Sequence, residues 1–164
     1  MSNSYKIAVL PGDGIGPEVT AESVKVLNVL AQAFQYKFEF EYAKMGAEAI
    51  FETGNPLPEE TLTVCKNADA VLFGAIGDPY FDNNPDAKVR PEQGLLKLRK
   101  ELGLFANIRP IKTYSSITKK SPLKKEIVDG TDIQIYRELI SGIYFGEKFT
   151  DENGEYAYDI CKYN

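Results

Sequence analysis

The sequence predicts an α/β fold: a mostly parallel sheet with flanking helices, ending in an antiparallel hairpin arm. Three observations carry this. Short apolar runs that suit buried strands, at 7–10 and 70–73, alternate with stretches of helical periodicity. A glycine-rich turn, PGDGIGP at 11–17, separates the first apolar run from a helix that opens with Pro17 and Glu18. Near the end, DENG at 151–154 is a strong hairpin turn between 142–149 and 155–160.

Each element has its own warrant. The first helix continues through Val24, Leu27 and Leu30. YKFEFEY at 36–42 places aromatics at every second position with charges between, as in a strand with one wet face. A short helix over 46–53 is closed by Gly54, Asn55 and Pro56, and another begins near Pro58 with Glu59 and Glu60 in its first turn, running to Lys66. The run 70–73 reads as a central strand, and 78–89 reads as irregular. Pro91 and Gly103 bracket a helix over 91–102, because proline suits the first turn and glycine the left-handed position past the last. An extended segment follows at 105–112. Ser121 and Pro122 mark a further helix that ends at Gly130, and 133–136 is a short strand before Arg137 and Glu138. No internal repeat is present. The first strand, turn and helix N-terminus leave two readings open: a cradle for an anion, or a tight structural turn. Counting from Gly12, the third glycine of a dinucleotide fingerprint would fall at 17, where proline stands.

Composition narrows the chemistry. The 164 residues suffice for one domain or parts of two, with ordinary apolar (43%) and charged (26%) fractions. A net charge of −5, with no basic run interleaved with aromatics, argues against a nucleic-acid partner; Lys119, Lys120, Lys124 and Lys125 read as a solvated face. No stretch approaches the ~20 apolar residues of a membrane span, and the polar start lacks a signal-peptide pattern, so the expectation is cytoplasmic with no membrane partner. Cys65 and Cys161 read as two reduced thiols. Histidine is absent. That excludes Ser-His-Asp and Cys-His mechanisms and a histidine-based metal site within these residues, leaving Tyr, Lys, Asp and Glu for acid–base work.

The densest chemistry lies at 90–110, RPEQGLLKLRKELGLFANIRP. Glu92, Leu95, Leu96 and Arg99 fall at spacings of three, four and seven, and so share a helix face carrying a carboxylate, two branched apolar groups and a guanidinium. Arginine stands only at 90, 99, 109 and 137, against a background of lysine. Fixed planar forks used this sparingly suit a substrate with two carboxylates. Arg90 reads as structural.

LPGDGIGPEV at 10–19, RPEQGLLKLRK at 90–100, FANIRP at 105–110 and REL…GIYFGE at 137–147 together resemble the N-terminal half of the 3-isopropylmalate dehydrogenase family. That family is a branch of the β-decarboxylating dehydrogenases, which include isocitrate, homoisocitrate and tartrate enzymes. The resemblance runs over essentially the whole chain and implies an NAD- and Mg²⁺- or Mn²⁺-dependent oxidation and decarboxylation of a small 2-hydroxy dicarboxylate, 3-isopropylmalate, in leucine biosynthesis. It implies that Arg99, Arg109 and Arg137 hold the malate carboxylates and that Tyr144 protonates the enol carbon. It places the isopropyl group on Leu95 and Leu96, and Glu92 and Ile15 at the cofactor. It further implies a first domain begun by 1–104, a second begun by 105–164, and a homodimer arm at 142–160. The general-base lysine and the metal ligands belong to a half of the family outside these residues, so no metal ligand is expected here and the isolated chain is expected to be inactive. Two departures adjoin the site: Tyr136 replaces a small apolar residue, and Ile140-Ser141 replaces Thr-Gly. Leucines at 95 and 96 disfavour isocitrate, whose third carboxylate would be desolvated without a partner. They separate isopropyl from similar alkyl groups only weakly, since a methylene is worth about 1–3 kcal/mol. The alternatives are a tartrate- or homoisocitrate-type enzyme, and a truncated, non-catalytic chain that binds anions or self-associates.

Overall fold

The structure, a computed structural model, describes residues 4–163. It folds as two units, Met1–Leu102 and Gly103–Asn164.

The first unit is built on a three-stranded parallel sheet in the order β2-β1-β3, with β1 at Ser4–Gly12, β2 at Lys37–Tyr42 and β3 at Ala70–Ala75. The register pairs Ala8 with Glu41 and Val71, and Leu10 with Phe73. Side chains alternate across a sheet, so Ala8, Leu10, Val71 and Phe73 share one face. There they meet Leu62 and Cys65 of α3 (Glu59–Lys66) and Leu98 of α5 (Pro91–Glu101), with Met45 and Leu57 filling the same core. Burial of a side chain such as Leu98 stabilises by about 1.5–3 kcal/mol. Against the opposite face lies α1 (Gly16–Phe34), which contacts all three strands. The central strand is β1, and not the 70–73 run as the sequence led us to expect. Apolarity alone does not distinguish the middle of a sheet from its side, and β3 is only half-buried.

The short helix α2 runs Ala47–Thr53 and is closed by Gly54 in the left-handed conformation. The stretch expected to be irregular contains α4 (Pro79–Asp82). Asp78 caps it by accepting the Tyr80 N–H at 2.8 Å, and Pro79 takes the first helical position. Arg90 braces this turn: its Nη1 donates to the Phe81 carbonyl at 2.8 Å and its Nη2 to that of Asn84 at 3.3 Å. The Gln93 side chain accepts the Arg90 N–H at 3.0 Å and so caps α5, which ends at Leu102 with Gly103 at φ +63°.

The second unit has no parallel pairing among its described strands. Strand β4 (Ala106–Lys112) pairs antiparallel with β5 (Asp132–Glu138), which is longer than expected and takes Arg137 into its ladder. The helix expected after Ser121 shrinks to α6 (Lys125–Val128), preceded by a 3₁₀ turn at Thr118–Lys120. Ser121 caps a turn rather than the helix, its hydroxyl accepting the Leu123 N–H at 3.1 Å. The hairpin forms around the DENG turn as β6 (Lys148–Thr150) and β7 (Ala157–Asp159). Its strands are shorter than 142–149 and 155–160, because Gly142–Tyr144 winds into a 3₁₀ turn instead. Backbone bonds from Ile160 N–H to the Glu147 carbonyl (2.9 Å) and from Gly142 N–H to the Lys162 carbonyl (2.8 Å) continue the pairing to the base of the arm.

Candidate functional site

In the first unit the chemistry gathers at the carboxyl ends of β1 and β3. In the order β2-β1-β3 the chain moves to one side of β1 and then to the other, so this is where the strand order reverses and where α/β sheets hold ligands. The glycine-rich turn and the loop after β3 line it. Their spacing is set by Asp13, which is buried at 5% exposure. Its Oδ1 accepts the Ala47 N–H at 2.8 Å, its Oδ2 accepts the Gly77 N–H at 3.0 Å, and its own N–H donates to the Ala75 carbonyl at 2.9 Å. The Asp13 carboxylate thus ties the glycine-rich turn to the start of α2 at Ala47 and to the loop at Gly77, so the turn works as a structural brace. The glycines follow from this closeness: Gly12 lies at φ +72°, and a Cβ there would fall onto the Ala75 carbonyl oxygen.

What the turn leaves exposed is Ile15, at the start of α1, with 62% of its surface open. Glu92, in the first turn of α5, also reaches this end: its Oε1 lies 3.2 Å from where a Cβ on Gly77 would stand. An apolar shelf and a carboxylate therefore flank the Gly77 loop. Further along α5, the face shared by Glu92, Leu95, Leu96 and Arg99 divides. Leu95 packs against the core, whereas Leu96 is half-buried outside it, and Arg99 lies half-buried in the last turn.

In the second unit, the antiparallel register brings the forks together. Asn107 pairs across the ladder with Arg137, and Arg109 lies two residues beyond Asn107. All three stand on one face of the β4–β5 pair, with Ile111, Ile133 and Ile135 bordering them. Arg109 Nε donates to Asn107 Oδ1 at 2.6 Å. Arg137 Nη2 donates to the Tyr144 hydroxyl at 2.9 Å, and its Cζ lies 5.3 Å from the centre of that ring, so the guanidinium both bonds and stacks. Tyr136, which departs from the resembled motif, lies on the opposite face from Arg137, and Ile140 donates its N–H to Glu138 Oε1 at 2.8 Å.

Two residues of this chemistry escaped the sequence reading. Asp13 was hidden inside the glycine-rich motif, where its neighbours drew attention to an external anion. Asn107 carried a usable signal, since an amide two residues before an arginine in a strand shares its face. Among the described residues no three His, Cys, Asp or Glu side chains gather as a metal ion needs. The described cysteines are free, and burial pushes the Cys65 thiol above its ordinary pKa.

A family model described as isocitrate/isopropylmalate dehydrogenase matches residues 6–164. The 3-isopropylmalate dehydrogenase of Bacteroides fragilis (strain YCH46) is 57% identical over 159 residues, a match covering 97% of this chain and 44% of that protein. The enzyme of the same name from Aquifex aeolicus (strain VF5) is 52% identical over 162 residues, covering 97% and 44%. Among solved structures, a beta-decarboxylating dehydrogenase from Thermococcus kodakarensis in its apo form aligns with a TM-score of 0.63 at 36% identity, over 95% of this chain and 40% of that one. Isocitrate dehydrogenase from Methylococcus capsulatus shares the fold, with a TM-score of 0.74 at 24% identity over 98% of this chain and 43% of that one. The chain therefore spans less than half the length of these relatives, in keeping with the N-terminal part of such an enzyme. It belongs to the isocitrate/isopropylmalate dehydrogenase family.

Proposed function

We propose that the chain carries the carboxylate-gripping part of an NAD-dependent 3-isopropylmalate dehydrogenase of leucine biosynthesis. The observation that carries this is the shared face of Arg109 and Arg137, with Tyr144 bonded to the second fork. Two guanidinium groups on one face match two carboxylates on one small acid, each charge-assisted hydrogen bond contributing about 1.5–3 kcal/mol. Arg99 is the third fork. Tyr144, held by Arg137, is the hydroxyl that delivers a proton to the enol carbon after the 3-carboxyl leaves as CO₂. The isopropyl group rests on Leu96, with Leu95 behind it. Against an apolar surface the third carboxylate of isocitrate would be stranded, which ranks isopropylmalate first.

The exposed Ile15 and the Glu92 carboxylate suit the flat, positively charged nicotinamide ring better than phosphates, because the carboxylates of Glu92 and Asp13 on either side of the Gly77 loop repel an anion. The chemistry supplied by NAD, when bound, is acceptance of a hydride from the hydroxyl-bearing carbon. The Mg²⁺ or Mn²⁺ of the family finds no ligand set among the described residues. Its ligands, like the general base, are assigned to polypeptide that these residues do not include. On this reading the first unit belongs to the NAD-side domain, the second begins the partner domain, and the hairpin forms the arm of a cytoplasmic homodimer.

The test is an enzyme reassembled from this chain and the remaining part of a close relative. Arg109→Ala should raise the KM for isopropylmalate by about a hundredfold, roughly two charged hydrogen bonds. Tyr144→Phe should lower kcat with little change in KM. Unchanged kinetics in both variants would refute the assignment.

A further inference from the structure

Asn107 is a polar residue on the fork-bearing face to which neither motif nor resemblance gives a role. It is half-buried, stands opposite Arg137, and accepts the Arg109 Nε–H at 2.6 Å. A guanidinium offers a carboxylate two ways to make paired bonds, either along the edge that includes Nε or at the end formed by the two Nη nitrogens. Commitment of Nε to Asn107 removes the first. We propose that Asn107 is a positioning residue, locking the plane of Arg109 so that only its Nη end is presented to a substrate carboxylate. This rests on the reading of Arg109 as a carboxylate fork and specifies how the fork is aimed.

An amide suits the task for an electrostatic reason. Its oxygen accepts from Nε while carrying no net charge, so Arg109 keeps its full attraction for an incoming anion. An aspartate in the same place would hold Nε equally well, but would compete with the substrate for the same cation.

The two properties can be separated by experiment on the 164-residue chain. Arginine at 90, 99, 109 and 137 alone limits the Nε–H signals in a ¹⁵N spectrum to these positions, assignable by single Arg→Lys substitutions. Asn107→Ala should speed hydrogen exchange of the Arg109 Nε–H by on the order of tenfold, one hydrogen bond's worth, and leave that of Arg137 unchanged. Asn107→Asp should preserve the protection of Arg109 Nε–H while weakening 3-isopropylmalate binding, followed by the same signals, by on the order of tenfold. Unchanged Arg109 exchange in Asn107→Ala would overturn the proposal. So would equal loss of protection in Asn107→Asp. If isopropylmalate shifts none of the arginine signals while the exchange pattern is as expected, the lock stands and the dicarboxylate reading of the site falls.

Discussion

Asp13 commits its buried carboxylate to the backbone of two other loops, which makes it the most structurally consequential residue at the carboxyl end of the sheet. Asp13→Ala leaves the Ala47 and Gly77 N–H groups without their acceptor, at about 1–3 kcal/mol for each. We expect a loss of about 2–4 kcal/mol in urea unfolding of the chain, whereas a substitution at exposed Glu22 should stay within about 0.5 kcal/mol. Asp151 acts by similar bonding on a smaller scale. Its carboxylate accepts the Tyr156 N–H at 2.7 Å and the Asn153 N–H at 3.3 Å, and these bonds, the Tyr156 one foremost, hold its pKa below the ordinary value. A carboxyl lowered on folding contributes stability that is fully present above its unfolded pKa of about 3.9 and is lost as pH falls through the lower folded value. Amide exchange at Tyr156, corrected for intrinsic rates, should therefore report a loosening turn below about pH 3.9. In Asp151→Asn that pH dependence should vanish.

At the scale of elements, the helix at Pro91–Glu101 and the strand pair at Ala106–Lys112 and Asp132–Glu138 divide the candidate chemistry between them. Arg90 belongs to the scaffold of the first: Arg90→Ala should raise amide exchange across residues 80–84, where it braces the Phe81 and Asn84 carbonyls, while the β4–β5 ladder stays protected. The sequence disclosed elements whose signals are local. Pro91 and Gly103 bracketed the helix to within one residue of its observed end, and the alternation of 36–42 announced a strand with one wet face. It disclosed less where partners are distant in the chain. The pairing of Asn107 with Arg137 is a contact between segments thirty residues apart, and an extended run does not declare whether its neighbour is parallel or antiparallel. For the same reason the candidate arginines could be named while the amide between two of them was passed over. The capped turn at Pro79–Asp82 does carry a local start signal, Asp78 before Pro79, but it lies inside a polar stretch that otherwise reads as irregular.

At the scale of the molecule, the α1 helix has more apolar surface than its sheet covers. Val26, Val29, Leu30 and Phe34 form an outward stripe, with Val29 and Phe34 each 64% exposed. The 164-residue chain should accordingly self-associate at micromolar concentrations in sedimentation velocity, and Val29→Glu together with Phe34→Glu should shift it towards the monomer. The first unit carries a parallel sheet with its loops, and the second an antiparallel pair bearing two arginines and a tyrosine, which we propose as its carboxylate grip. The described residues supply neither a histidine base nor a cluster of metal-ligating side chains. The measurement that bears most directly on this division is NADH formation at 340 nm from 3-isopropylmalate, NAD and Mn²⁺. It is to be made with the 164-residue chain alone and again after adding the separately expressed remainder of a close relative. No turnover above the blank is expected for the chain alone, and turnover restored by the addition. Sustained turnover by the chain alone would contradict the proposal, which assigns the general base and the metal ligands to polypeptide outside these residues.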